Sequence, residues 1–118
     1  MVVRQQLSKR VSIVGWGSVS PLGCDAASTW DGVLAGRSGI RALRAAWSED
    51  LPVRISGCVP EAATASLEPL LQRRSDRCAQ LGLLAAREAW AMAAAFSSGI
   101  DPARVAVVLG TGIGGLHT

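Results

Sequence analysis

An unbroken apolar run that leads directly into glycines limits the folds open to this chain. Residues 104–109 read Arg-Val-Ala-Val-Val-Leu, and the glycine-rich loop 110–115 follows at once. A strand that faces water on one side alternates apolar and polar positions, whereas a strand covered on both faces is apolar throughout. The run therefore predicts a buried strand in an α/β fold, with helices on both faces of a sheet.

The remaining segments supply the helices and further strands of that fold. The predicted elements, in chain order, are a strand at 11–14, a helix at 25–34, a loop at 37–52, a strand at 53–59, a helical turn at 66–71 and a helix at about 75–95. Asp25 has the chemistry of a helix N-cap, and Gly36 has that of a C-terminal stop. The order strand-helix-strand-helix-strand argues for a layered α/β domain at 11–118, preceded by a polar N-terminal arm at 1–10.

The longest predicted helix is apolar around most of its circumference. Its polar positions recur near the helical period, and they are Arg77, Gln80, Arg87 and Glu88. Ala, Leu and Met fill most of the rest and favour the helical conformation. The pattern predicts a mostly buried helix with one narrow solvated stripe.

Composition excludes several classes of protein. Hydrophobic residues make up 49% of the 118 residues, charged residues make up 18%, and the formal net charge is +3. A disordered chain is more charged and less apolar, and a nucleic-acid-binding domain is more basic. No segment reaches the roughly 20 apolar residues of a transmembrane helix. We therefore expect neither a nucleic acid nor a membrane as partner.

Three cysteines and one histidine offer little for metal or redox chemistry. Cys24, Cys58 and Cys78 are odd in number and lack the spacing of a metal or redox motif, and His117 is the sole histidine. A reduced, cytoplasmic chain fits this usage. We predict no metal site, and we expect each cysteine to be a small buried or half-buried side chain. His117 is expected to be solvated near the terminus.

The chain is more apolar than a small stand-alone domain, which leaves a large share of its surface in water. Its mean hydropathy is +0.30. We therefore expect an incomplete domain that exposes a large apolar patch when expressed alone and tends to associate.

The glycine-rich loop satisfies the pattern G-x-G-x-x-G at 110–115. A dinucleotide site also requires a helix that opens at the loop and an acidic residue about 20 positions further on. The sequence shows neither, since three residues remain after Gly115, and a nucleotide-binding α/β domain stays as one alternative. Glycines at a strand end also permit positive φ and close backbone approach whatever the function.

Four motifs follow one another along nearly the whole chain from Val11. They are VSIVGWGSVSPLG at 11–23, WDGVLAGRSGI at 30–40, RRSDR at 73–77 with AAREA at 85–89, and VVLGTGIGGL at 107–116. In this order and spacing they resemble the β-ketoacyl-acyl-carrier-protein synthases, the condensing enzymes. The resemblance is to the type II, stand-alone synthases rather than to a multidomain polyketide module.

This resemblance implies a thiolase-like fold made of two similar α/β halves. The chain would supply the first strand-helix-strand-helix-strand part of the N-terminal half. In the family, an acyl chain is loaded on a cysteine, and two histidines assist the decarboxylative Claisen condensation with malonyl-carrier protein in fatty acid or polyketide biosynthesis. Those residues lie downstream of the motif at 110–115. The resemblance therefore implies an N-terminal synthase fragment that carries no catalytic residue and is inactive alone.

The resemblance also implies a docking role for two arginines. Basic residues of the family that match Arg73 and Arg74 face the acidic carrier protein. The pattern places these arginines near the start of the long helix, where cations oppose the helix dipole unless an anion offsets them. The alternative is a solvated charge run partly neutralised by Asp76.

A second implied site is the acyl pocket. The family counterpart of Ile113 lines this pocket and helps to gate chain length, and Thr111 and Gly112 lie beside it. The alternative is that Ile113 only packs the loop. Gly112 and Gly114 would let the backbone approach a ligand closely.

The implied partner is the acyl carrier protein, with a homodimer or a heterodimer of synthase subunits in the complete protein. No cofactor of its own is implied, because acyl groups arrive on the phosphopantetheine of the carrier. A non-catalytic module that keeps only the carrier-docking face is a further alternative.

Overall fold

The computed structural model describes residues 10–115. In that range the regular elements are α1 (Ala26–Leu34), β1 (Arg41–Ala42), β2 (Ile55–Ser56), α2 (Pro69–Arg74), α3 (Arg77–Met92) and α4 (Ala94–Ser97), with 3-10 turns at Ala46–Ser48, Glu61–Thr64 and Pro102–Arg104. The described part is a small α/β fragment in which helix outweighs sheet. The predicted arm at 1–10 falls outside the described residues except for Arg10, and His117 falls outside them entirely.

The two short strands form one antiparallel pair. Arg41 lies opposite Ser56, and Ala42 lies opposite Ile55. β1 lies inside the segment predicted as a loop, and β2 is all that forms of the strand predicted at 53–59. The apolar pattern missed β1 because this strand is exposed along its whole length, so no buried side chains mark it.

The strands predicted at 11–14 and 104–109 pair with no other backbone among residues 10–115. Val107 and Val108 are 90% and 94% exposed, although the pattern predicts cover on both faces. An apolar pattern indicates that burial of the side chains is favourable. A strand also requires a neighbouring backbone that supplies hydrogen bonds. The predicted strand-helix-strand-helix-strand order is therefore not confirmed.

Local sequence decides both ends of α1. Asp25 Oδ1 accepts the backbone N–H of Ser28 at 2.7 Å, and Ser28 Oγ accepts the backbone N–H of Asp25 at 3.3 Å. This reciprocal capping box satisfies two N–H groups that lack partners within the helix. Gly36 follows the helix with φ +62°, a left-handed conformation that favours glycine. The helix predicted from Asp25 to Leu34 is confirmed.

α3 turns polar side chains towards the protein and leaves apolar ones in solvent. Gln80 is only 9% exposed and Glu88 is half-buried, whereas Trp90 and Met92 are 57% and 42% exposed. The predicted solvated stripe is confirmed at Arg77 and Arg87, which are exposed, and wrong at Gln80 and Glu88. The prediction of a mostly buried helix is also wrong, since Gln80 is the one buried residue of α3. The side chains of Gln80 and Glu88 bind backbone groups of other segments, which satisfies them in a buried position. Too few segments of the described chain reach the apolar face to cover it.

The Gly-Trp-Gly motif lies against the backbone of α3. A Cβ at Gly15 would overlap the carbonyl oxygen of Ala89, and a Cβ at Gly17 would overlap that of Ala85. Two residues of extended chain advance about 6.6 Å, close to the 5.4 Å of one helical turn, so the two glycines meet carbonyls one turn apart. Glycine is needed at both positions because no side chain fits between the two backbones.

The buried apolar core of the described residues is small. It contains Ala63, Leu67 and Ala93. The larger apolar side chains that stay more than half exposed include Val11, Ile13, Trp16, Trp30, Trp47, Phe96, Val107 and Val108. The expected extensive apolar exposure is confirmed, and association of the chain stays a prediction. Within residues 10–115, no helix combines the length and the apolar character that crossing a membrane requires.

Candidate functional site

The two candidate docking arginines are neighbours in the last turn of α2. Arg73 and Arg74 are exposed, and neither side chain makes a hydrogen bond or ion pair with any other residue of the described range. They lie just before α3, as predicted, but they belong to the C-terminal end of α2, and Ser75 and Asp76 connect the two helices. A cation at a helix C-terminus is favourable. The helix dipole therefore gives no reason to expect an anion at this position.

The Asp76 side chain interacts with α3 and not with the arginines. Its Oδ1 accepts the backbone N–H of Ala79 at 2.7 Å and caps the N-terminus of that helix. Among the described residues, no ion pair joins Asp76 to Arg73 or Arg74. Two positive charges thus remain open to solvent beside a polar cleft of about 350 Å³ between α2 and α3.

Two glutamines tie α2 to the elements before and after it. Gln80 of α3 donates through Nε2 to the carbonyls of Gln72, at 2.9 Å, and Ser75, at 2.8 Å. Gln72 in turn donates through Nε2 to the carbonyls of Thr64, at 3.1 Å, and Leu67, at 2.6 Å. The glutamines therefore bind carbonyls at the C-terminal end of α2 and in the segment that ends the preceding 3-10 turn and leads into α2.

Arg77 makes a third connection at the same place. Its Nη1 donates to Thr64 Oγ1 at 2.9 Å, and its Nη2 donates to the carbonyls of Val59, at 3.2 Å, and Pro60, at 3.0 Å. The sequence pattern indicated no role for Gln72 and predicted Gln80 and Arg77 in the solvated stripe. The burial of Gln80 could have been inferred from the sequence, because it is an uncharged polar residue in an otherwise apolar helix. Buried amide side chains are found where backbone groups need hydrogen-bond partners.

The glycine-rich loop lies at the N-terminal end of α3, next to the joint with α2. Cys78 Sγ lies 3.8 Å from Thr111 Oγ1 in hydrogen-bond geometry, and the same hydroxyl accepts the backbone N–H of Gly114 at 2.9 Å. Gly115 contacts Asp76 so closely that a Cβ would overlap the carboxyl group. The structure thus brings the candidate acyl-pocket loop and the joint after the candidate docking arginines to one end of α3.

Ile113 is 77% exposed, so its side chain does not pack the loop against the described residues. Gly114 has φ +78°, which accounts for glycine at that position. A Cβ at Gly112 would meet nothing within 4 Å. The backbone at Gly112 therefore has open space beside it, and nothing in residues 10–115 makes the close approach that its lack of a side chain permits.

The cysteines differ in their surroundings. Cys24 and Cys58 are exposed, so the prediction that they are buried or half-buried is wrong, whereas Cys78 is half-buried as predicted. Cys24 precedes the helix cap, and Cys58 follows a strand exposed at the edge of a two-stranded sheet, so no packed neighbour covers either thiol. Within residues 10–115, no group of three or more His, Cys, Asp or Glu side chains could hold a metal ion.

An apolar cleft of about 560 Å³ lies between α1 and α3. Trp16, Trp30 and Met92 line it together with Glu88. The Glu88 carboxylate is occupied, because it accepts the backbone N–H of Ser18 at 2.9 Å and that of Ala26 at 2.9 Å. The cleft therefore offers apolar surface and no unengaged acid for chemistry.

Comparison with known proteins gives the class to which this arrangement belongs. Residues 8–118 match the family described as beta-ketoacyl synthase, N-terminal domain. The chain belongs to this family, and membership implies a thiolase-like fold.

Individual relatives agree with the family. The chain is 35% identical over 115 residues to 3-oxoacyl-[acyl-carrier-protein] synthase 2 of Staphylococcus aureus (strain N315), covering 94% of this chain and 27% of that protein. It is 33% identical over 109 residues to the protein of the same name from Coxiella burnetii (strain RSA 493 / Nine Mile phase I), covering 92% and 26%. A putative polyketide beta-ketoacyl synthase 1 of Streptomyces cyaneus is 36% identical over 115 residues, covering 92% and 26%. The chain spans about a quarter of the length of these relatives.

Proposed function

We propose that this chain is the N-terminal portion of a β-ketoacyl-acyl-carrier-protein synthase. In this role it presents a docking surface for the carrier protein and one wall of the acyl pocket. The complete synthase joins an acyl thioester to malonyl-carrier protein by decarboxylative Claisen condensation, in fatty acid or polyketide biosynthesis. The partner is the acyl carrier protein, which delivers the acyl group on its phosphopantetheine, so the chain needs no cofactor of its own.

The observation that carries the proposal is the family match from residue 8 to 118. Two exposed arginines in the last turn of α2, which the motif resemblance matches to docking residues of the family, support the docking role. The side chains of Arg73 and Arg74 make no hydrogen bond or ion pair within residues 10–115, so both are available to an acidic protein surface. Opposite charges on two partners steer their encounter and fix the orientation of docking. The dipole of α2 favours cations at its C-terminal end, so it gives no support to a docking role for these arginines. The support for that role is the exposure of their side chains.

The chemical step lies outside this chain in the proposal. Condensation of this type needs a nucleophilic thiolate and donors that stabilise an enolate and an oxyanion. The chain has one histidine, whereas the family uses two. We assign Thr111, Gly112 and Ile113 to the acyl pocket, and the exposure of Ile113 supports a contact made with groups beyond the described residues.

The docking surface is tested by charge reversal. Holo acyl carrier protein is titrated against the 118-residue chain, at a concentration below its self-association, and the dissociation constant is measured by fluorescence anisotropy. Arg73→Glu with Arg74→Glu should weaken binding by about tenfold or more, because two attractive contacts become repulsive. The affinity of the unaltered chain should also fall as salt is raised.

The matched control reverses two other exposed arginines. Arg41→Glu with Arg44→Glu changes the net charge by the same amount at a different place on the surface. It should lower the affinity by less than about threefold, since only long-range attraction is lost. Equal weakening by both pairs, or none by either, would show that Arg73 and Arg74 are not the docking surface.

The assignment of the chemistry is tested separately. The purified chain is incubated with a radiolabelled acyl thioester of the carrier and analysed for protein-bound label after denaturation. We expect no covalent acyl-enzyme. Stoichiometric thioester formation on Cys24, Cys58 or Cys78 would overturn the assignment of catalysis to residues outside this chain.

A further inference from the structure

We infer that Gln80 is a positioning residue for carrier docking: it holds α2 at the angle to α3 that presents Arg73 and Arg74 to the partner. This inference rests on the docking role proposed above. Gln80 does not touch the partner in it. Its side chain acts only through the backbone of the helix that carries the arginines.

α2 is too short to be stable on its own. It has six residues, and an isolated helix of that length is unstable in water. Its direction must therefore be set by bonds to other elements. α2 also buries none of its own residues, so packing against a core does not set its direction.

Gln80 supplies those bonds at the C-terminal end of α2, where the arginines lie. Its Nε2 group donates to the carbonyls of Gln72 and Ser75, which lie on either side of Arg73 and Arg74 in the chain. Two bonds from one rigid amide group fix both the distance and the rotation of this turn relative to α3. Gln80 is 9% exposed, so water does not readily replace the amide if it is removed.

A second set of bonds joins α2 to the segment before it and does not involve the Gln80 amide. The side chain of Gln72, next to Arg73, donates to the carbonyls of Thr64 and Leu67. Loss of the Gln80 amide therefore removes the bonds from α3 that set the angle of α2, while α2 stays attached to the preceding segment. A docking surface that is no longer held in its bound arrangement must be ordered on binding, which lowers affinity.

The test compares two substitutions on the same face of α3. Gln80→Leu keeps a side chain of similar size and removes both bonds to α2. Glu88→Leu, eight residues further along, removes the bonds to Ser18 and Ala26 and leaves α2 untouched. Binding of holo acyl carrier protein to the full chain is measured for each variant, with the thermal unfolding midpoint as a check on folding.

We expect Gln80→Leu to weaken binding about fivefold and Glu88→Leu to leave it within twofold, although both lower the unfolding midpoint. Should Gln80→Leu fail to fold, Gln80→Met takes its place, because this uncharged side chain has a similar length and no N–H to donate. Equal affinity losses for the two helix positions would show that Gln80 has a general structural role, and unchanged affinity for the Gln80 variant would overturn the inference.

A combined variant separates this inference from the docking role itself. In a chain that already carries Arg73→Glu and Arg74→Glu, Gln80→Leu should have no further effect, since its influence passes through the arginines. If the arginine pair alone leaves affinity unchanged, the docking proposal fails. If the arginine pair weakens binding and Gln80→Leu does not, only the positioning role fails.

Discussion

The carboxylate of Glu88 on α3 accepts the backbone N–H of Ser18, with Oε2 2.9 Å from the nitrogen, across 70 positions of sequence. The same carboxylate accepts the N–H of Ala26, the first residue of α1, with Oε1 at 2.9 Å. One side chain therefore joins α3 to the N-terminal segment and to the start of α1. Glu88 holds together parts of the chain that have few buried apolar contacts between them.

Glu88→Leu should destabilise the chain by about 1–3 kcal/mol, because two part-buried N–H groups lose a charged acceptor. The free energy of unfolding is measured by urea denaturation followed by circular dichroism. The neighbouring Arg87→Leu is the control, since the Arg87 side chain is exposed and makes no hydrogen bond or ion pair with residues 10–115. Equal stability of the two variants would contradict the role assigned to Glu88.

Gly17→Ala should destabilise the chain by about 1–3 kcal/mol, because the added methyl group overlaps the carbonyl oxygen of Ala85 and the two backbones must separate. The matched control is Gly110→Ala, where a Cβ meets nothing within 4 Å and φ is not positive. This control should change stability by less than about 0.5 kcal/mol. The same urea measurement decides between them, and a neutral Gly17→Ala would mean that the segment at 15–17 does not lie on α3.

Stability should depend on pH through the cap of α1. Hydrogen bonds from the side chain of Ser28, and then from its backbone N–H, hold the pKa of the Asp25 carboxyl below its ordinary value. Since the folded-state pKa is the lower one, the ionised cap stabilises the chain above the unfolded pKa, and this contribution is lost as pH falls through the folded pKa. The loss lies below about pH 4.

The test follows the ellipticity at 222 nm and the unfolding midpoint between about pH 2 and pH 6. Asp25→Asn keeps a capping side chain but cannot titrate. This variant should lose less stability over that range than the unaltered chain. Identical pH profiles would show that Asp25 does not contribute to the acid dependence.

The chain should associate through its exposed apolar side chains. Trp16 and Trp30 are each 60% exposed on the cleft between α1 and α3. Replacing both by Ser should lower the association constant by about tenfold or more, because burial of each indole contributes roughly 1.5–3 kcal/mol. Sedimentation velocity over a range of concentrations measures the effect.

Trp47→Ser is the control for this prediction, since Trp47 is 69% exposed but does not line the cleft. It should have a smaller effect on association than the paired substitution. A chain that remains monomeric at all concentrations would contradict the prediction and would show that the exposed apolar surface is not sufficient for association.

Helix ends were accessible from the sequence because capping is local. Asp25 and Gly36 lie within a few residues of the groups they serve, so their identity alone indicated where α1 begins and ends. The motifs at 11–23 and 107–116 likewise identified the family, which the match over residues 8–118 confirms. These inferences required no knowledge of which segments meet in space.

The residues that surround α3 could not be predicted from the local sequence. Gln80 and Glu88 fit a solvated stripe by periodicity alone, yet their partners on α2 and at residues 18–26 make burial favourable for them. Arg73 and Arg74 fall between the helical turn predicted at 66–71 and the helix predicted from about 75, so the sequence did not show that they end α2. Which polar groups contact each other depends on how segments that are distant in sequence are placed in the fold.

The sequence by itself determined the family, the ends of α1 and an apolar content greater than a small domain can bury. The tertiary structure decided which face of α3 is covered, and it decided that the arginines lie in the last turn of α2. The physical reason is the range of the interactions. A cap acts over about three residues, whereas the bonds of Glu88 to Ala26 and Ser18 span 62 and 70 positions and exist only in the folded chain.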